Sequence, residues 1–174
     1  MKKIENWDSI EVNNNDDYKR IVPGGYVGRI TKVEDNPEKS YLYIEFDIAE
    51  GEFKGYGASF VERNGFTPLR FYRSYTDKAA GMFKSFTQDV ENSNPNYTWE
   101  WKEQTLVGKF IGVVLGEAEY KKQNGEIGTR FDVRTKTVSA IHEGKFKVPE
   151  KKLLAVESYR PAFTSIDDDG DLPF

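Results

Sequence analysis

Apolar and polar residues alternate with period two along much of this chain, a pattern that predicts strands lying half-buried on a core. Residues 25–33 and 41–49 are rich in Tyr, Ile, Val and Phe, and Glu34-Asp35-Asn36-Pro37-Glu38 between them is a turn signal, so the pair predicts a β-hairpin. In its second strand Leu42, Ile44, Phe46 and Ile48 make a core face, opposite Tyr41, Tyr43, Glu45 and Asp47. The Gly-punctuated stretch 51–65 predicts a short edge strand near 58–62, and 69–75 a further strand. Thr76-Asp77 then offers an N-cap, and Ala79, Met82, Phe83, Phe86 and Val90 recur at helical spacing until Asn94-Pro95, which predicts a helix over 76–92. Tyr97, Trp99 and Trp101 alternate with polar residues as an extended stretch. Two long strands follow, 106–120 and 128–141, joined by Lys121-Lys122-Gln123-Asn124-Gly125, whose Asn-Gly pair is a strong hairpin turn.

Strands, one helix, then a long hairpin is the order of a mostly β, five-stranded OB barrel with its α-helix between strands 3 and 4. An open antiparallel sheet crossed by one helix is the alternative. The barrel is preferred because Gly108, Gly112 and Gly116 allow the bending that closure requires. Residues 1–22 read as an N-terminal arm resting loosely at Ile4, Trp7 and Ile10, residues 23–154 as the single domain, and residues 155–174, which lose all periodicity, as a flexible tail.

Charge changes the picture more by place than by amount. The 174 residues hold 25 Lys plus Arg and 29 Asp plus Glu. Four of those acids, Asp167, Asp168, Asp169 and Asp171, fall in the last eight residues, leaving 25 acids to balance the 25 bases before them. Residues 120–152 carry nine bases and four acids. The chain is therefore polarised, with a basic C-terminal third and an acidic end.

Few enzymes fit this composition. With no cysteine there is no thiolate zinc site or cysteine nucleophile. The lone histidine, His142, reads as a surface residue at a strand end. Gly108-Lys109 has Glu103 and Phe110 where a phosphate-binding loop needs glycine and a hydroxyl. Asp167, Asp169 and Asp171 resemble the opening of a calcium loop but lack its glycine and closing glutamate. No catalytic residue, metal or cofactor is expected. Acids precede any apolar run at the N-terminus and no membrane-spanning stretch occurs, so a cytoplasmic protein without membrane contact is expected.

Aromatic and basic residues remain. If Leu42, Ile44 and Phe46 fill the core, Tyr41 and Tyr43 point outward, where rings can stack on nucleobases. Arg70 and Tyr72 share that outward face on the third strand, and Arg73 is expected to reach it from the strand end. The hairpin adds Tyr120, Lys121, Lys122 and Arg130, with Arg134 and Lys136 on the same alternating face. These eleven residues form the candidate site for single-stranded DNA. Each has a plainer reading as well: tyrosines pair across strands, and a Lys-Lys turn is soluble. Tyr97, Trp99 and Trp101 are expected to cover the barrel base or an oligomer interface, and a homo-oligomer is compatible with them.

The chain ends in Asp167-Asp168-Asp169-Gly170-Asp171-Leu172-Pro173-Phe174. As a peptide ligand it would seat Phe174 in an apolar pocket, meet an arginine with its carboxylate and lay the aspartates on a basic rim. It resembles the acidic tip of bacterial single-stranded DNA-binding proteins, which implies docking of replication, recombination and repair proteins through these residues. Ser74-Tyr75-Thr76-Asp77-Lys78-Ala79, Phe83-Lys84-Ser85-Phe86, Asn92-Ser93-Asn94-Pro95-Asn96-Tyr97-Thr98-Trp99, Gly108-Lys109-Phe110-Ile111-Gly112-Val113-Val114 and Gly144-Lys145-Phe146-Lys147-Val148-Pro149 carry a second resemblance. Across roughly residues 24–154 the body is similar to single-stranded DNA-binding proteins of phages and mobile elements of Gram-positive bacteria, which implies an OB fold and sequence-tolerant binding of single strands. The expectation is a non-enzymatic protein that coats single-stranded DNA and recruits partners. An RNA-binding or protein-interaction module with a solubility tail, and a small nuclease, stay open as alternatives.

Overall fold

The computed structural model describes residues 2–10 and 19–154. The architecture is mostly β, a five-stranded antiparallel sheet carrying short helices. Strands β1 (Gly24–Asn36) and β2 (Tyr41–Ile48) form the expected hairpin. Its turn sits later than the sequence suggests, because Asn36 still pairs with Tyr41 and its side-chain oxygen accepts the Lys39 N–H at 3.0 Å. Thr31 bulges out of β1 between Ile30 and Lys32, which resets which side chains face outward beyond it.

The segment expected as an edge strand is helix α1 (Tyr56–Asn64). Left-handed glycines at positions 55 and 65, with φ of 77° and 81°, bracket it. The Asp47 carboxylate accepts the first-turn N–H groups of Gly57 and Ala58 at 2.6 and 3.1 Å, supplying the cap that the helix itself lacks. Tyr56 and Phe60, one turn apart, set their rings against each other at a tilt of 37°, with centroids 6.0 Å apart. Strand β3 (Arg70–Ser74) follows, then a 3-10 turn, Asp77–Ala79, that runs into helix α2 (Ala80–Ser93). Thr76 makes no side-chain cap; its hydroxyl meets that of Ser74 at 3.1 Å. The 97–101 stretch joins no ladder. A 3-10 turn at Glu103–Leu106 leads into β4 (Phe110–Lys121), which turns back as β5 (Ile127–Lys136). The last strand stops five residues short of expectation, since Thr137 caps a short helix α3 (Val138–His142) by accepting the Ala140 N–H at 3.1 Å. Among the described residues three α-helices are thus present where one was expected.

The ladders run in the order β3-β2-β1-β4-β5. No ladder joins β3 to β5, so the expected closed barrel gives way to an open sheet whose two edges meet through side chains. Its core includes Ile44, Leu69, Phe86, Val90, Leu106, Ile111, Val113 and Leu115, each at 0% exposure. Burial of each such side chain is worth about 1.5–3 kcal/mol before chain entropy is counted.

Two of the strand glycines serve a different purpose from bending. A Cβ on Gly116 would lie 2.5 Å from the Pro149 ring, and one on Gly112 would lie 2.5 Å from the Thr137 carbonyl. The segment that follows α3 is strapped over this outer face, with Phe146 seated on Gly25. It ends as a short parallel addition to β4, where Lys152 N–H donates to the Glu117 carbonyl at 3.0 Å and Glu119 N–H to the Lys152 carbonyl at 2.8 Å. In the N-terminal arm Ile4, Trp7 and Ile10 are exposed rather than packed.

Candidate nucleic-acid interface

Strand alternation, reset by the bulge at Thr31, places nine side chains in three rows on the outer face of β1, β2 and β3. The register pairs Lys32 with Glu45 and Glu45 with Arg70, then Glu34 with Tyr43 and Tyr43 with Tyr72, then Asn36 with Tyr41 and Tyr41 with Ser74. The three tyrosines form one cluster at its centre. Tyr72 meets Tyr41 edge-on, with centroids 5.2 Å apart at 84°, and Tyr43 at 5.3 Å and 55°. Tyr72 is 55% exposed, so its ring is covered by tyrosines on one side and open on the other.

Polar groups hold the cluster in place. Tyr43 donates its hydroxyl to Glu45 at 2.7 Å, and the Asn36 amide donates to the Tyr41 hydroxyl at 3.2 Å. Partial burial, then the Glu45 bond, push the Tyr43 phenol above its ordinary pKa, while Arg70 pulls it down. Lys32 pairs with Glu34 at 2.8 Å and stands 6.0 Å from the Tyr43 ring centroid. The bond to Glu34 raises the pKa of this exposed ammonium. The groove over these residues has a volume of about 430 Å³. Lys32 and Arg70 stand against Glu34, Glu45 and Asp35, so the face is aromatic and carries no positive excess. An exposed ion pair contributes about 0–1 kcal/mol, little enough for a phosphate to displace Glu34 from Lys32.

The fold brings together Tyr41, Tyr43, Arg70 and Tyr72. It separates the others. Arg73 pairs in register with the core residue Leu42 and turns inward, against the expectation that it reaches the tyrosine face. Its guanidinium lies 4.7 Å from the Phe71 ring centroid and donates to the Thr135 hydroxyl at 3.4 Å, bridging β3 and β5. Burial lowers its pKa, countered by Asp89 and Asp132. Tyr120 and Lys122 fold over Gly128 inside their own hairpin, and Lys121 is exposed at its tip. Arg130, Arg134 and Lys136 are exposed along β5. Among the described residues these six make no hydrogen bond, ion pair or ring contact with the tyrosines. Arg130, Arg134 and Lys136 share one face of β5 as a second, basic surface, whereas Lys121 falls on the other face of the hairpin and Lys122 pairs with Glu126 at 3.7 Å. Asp167, Asp168, Asp169, Asp171, Leu172, Pro173 and Phe174 lie outside the described residues.

Four residues of the face were not anticipated as its members: Lys32, Glu34 and Asn36 on β1, and Ser74 at the end of β3. On β1 the signal was present in the continued alternation after Val33, which a turn-like composition masked. Among the described residues no helix is long and apolar enough to cross a membrane. No protein-family model and no curated protein matches this chain.

Proposed function

We propose that this protein binds single-stranded DNA without sequence preference, through base stacking on Tyr41, Tyr43 and Tyr72 and phosphate contacts from Lys32 and Arg70. The observation that carries the reading is the tyrosine cluster, packed ring against ring yet open to solvent at Tyr72 on the outer face of the second and third strands. The strand order β3-β2-β1-β4-β5, with β3 and β5 brought side by side by Arg73 and Thr135, supports a partly open OB barrel, a fold that binds oligonucleotides on that face. Flat rings accept any base, because every base has a π-face. The basic hairpin, with Lys121, Lys122, Arg130, Arg134 and Lys136, supplies the charge that the tyrosine face lacks, and takes the phosphates of the strand as it leaves the rings. The tail residues 167–174, acidic and then apolar, are proposed to dock replication or recombination proteins.

Affinity for oligo-dT measured by fluorescence anisotropy tests the assignment. Tyr43→Ala and Tyr72→Ala are each expected to weaken binding by about 1–3 kcal/mol, the worth of one stacked base. Unchanged affinity in both variants would remove this face from the site.

A further inference from the structure

Tyr75, the residue after β3, carries the aromatic surface beyond the sheet. Its N–H donates to the Ser40 carbonyl at 2.9 Å, beside Tyr41, and its hydroxyl donates to Asp35 at 2.8 Å. Its ring meets Phe83 of α2 edge-on, with centroids 5.8 Å apart. Phe83 is buried and lies under Trp101, whose ring is 6.0 Å away and inclined by only 20°. Trp101 is 75% exposed. Its stacked side is therefore held by Phe83 and its other side is open. The backbone at Trp101 is left-handed, with φ of 62°, a conformation that bulky residues rarely adopt and that neighbouring structure must enforce. A hydrophobic ring displayed flat on the surface by a strained backbone calls for an occupant.

The groove beside it, about 410 Å³, is walled by Trp99 and Trp101 and by Lys84, Thr87 and Gln88 of α2. Asp35 borders both the tyrosine groove and the smaller hollow beneath Trp101, so the two surfaces are continuous around the β1–β2 turn. The geometry points to Trp101 as a second stacking platform, which takes a base of the same single strand after it leaves Tyr41. This rests on the reading of the tyrosine face as the binding site for single-stranded DNA. A nucleobase suits the platform because the open ring is flat and its hollow adjoins the tyrosine groove at Asp35. The rim sets Lys84 against Glu91, Glu103 and Asp35, so phosphates gain nothing here and the binding energy comes from stacking.

The full chain and its Trp101→Gly and Trp101→Phe variants would be titrated with oligo-dT of about 4 and about 16 nucleotides, the limits of single-domain site sizes. Glycine suits the left-handed backbone, and phenylalanine keeps a ring over Phe83. Trp101→Gly is expected to weaken binding of the long oligonucleotide about 5- to 100-fold, leave the short one unaffected, and keep the slope of log affinity against log salt. Trp101→Phe is expected to retain most of the long-strand affinity while losing most of the tryptophan fluorescence quenching that the long strand causes in the unmodified chain. Equal long-strand binding by Trp101→Gly and the unmodified chain, or quenching that survives in Trp101→Phe, would overturn the platform and leave the tyrosine site standing. Weakening of short and long strands alike would also overturn it. If the unmodified chain binds neither length, both readings fall together.

Discussion

Replacement of Asn94 by alanine should cost more stability than any surface change in the molecule. Asn94 follows α2 directly and is 8% exposed. Its amide donates to the Val90 carbonyl at 2.7 Å and to the Phe110 carbonyl at 2.8 Å, and its oxygen accepts the Phe110 N–H at 2.9 Å. The need arises from strand lengths: β5 ends with Lys136 opposite Gly112, so Phe110 lies two residues beyond the ladder on that side. The Asn94 side chain stands in for the missing strand. Alanine would leave the N–H and C=O of Phe110 unpaired at about 1–3 kcal/mol each, for a total of about 2–6 kcal/mol. For a chain of this size that corresponds to a fall in Tm of roughly 4–24 °C. Urea unfolding followed by circular dichroism, with thermal melts alongside, measures it. Asn94→Asp sharpens the test, because a carboxylate accepts the Phe110 N–H but repels the two carbonyls, so its deficit should shrink as acid protonates it. A loss below about 0.5 kcal/mol in Asn94→Ala, the size of an ordinary surface substitution, would refute the reasoning.

Two further changes probe other parts of the structure. Gly116→Ala would drive a Cβ into the rigid Pro149 ring at 2.5 Å, so it should cost about 1–3 kcal/mol and free the strap, seen as new protease cleavage between residues 143 and 154. Unchanged stability and cleavage would mean that the strap yields without cost. Burial raises the Asp89 carboxyl above its ordinary pKa, against the opposing pull of Thr135, Lys136 and Arg73. In the interval between the unfolded and the raised folded value the native state holds the extra proton, so this residue's contribution falls as pH rises through that interval. Asp89→Asn should therefore gain on the parent at neutral pH and lose that gain toward about pH 4, near the unfolded carboxylate value. A gain that grows toward acid would contradict the assignment.

The hairpin of β1 and β2 and the helix ending at Asn94 were legible because each rests on a local period or a local stop signal. The tyrosine face was half legible. Tyr41, Tyr43, Arg70 and Tyr72 follow from alternation alone, whereas Lys32 joins them only because the bulge at Thr31 shifts its strand by one residue. Arg73 shares the parity of Leu69 and Phe71, and that regularity prevailed: an arginine at a core position covered its aromatic neighbours instead of turning out to solvent. Helix α1 was missed because its cap comes from Asp47, ten residues earlier than Gly57, and no local pattern carries such a contact. The expected strand through residue 141 failed for a smaller reason, since Val138 and Ala140 suit a strand as well as a helix and the Thr137 hydroxyl decides between them. The closed barrel was expected from glycines, but Gly112 and Gly116 are small because α3 and the strap lie against them. Which part of the chain covers a sheet is a tertiary matter that periodicity does not encode.

An aromatic face with a separate basic hairpin is proposed to hold a single strand of DNA. Parallel titrations of the full chain with a single-stranded oligonucleotide and with the duplex of the same sequence, across a series of salt concentrations, test it most directly. The single strand is expected to bind much more tightly than the duplex, whose bases are already stacked, and its affinity to fall with salt to a floor set by stacking. Equal affinity for the two forms, or no binding of the single strand at low salt, would contradict it.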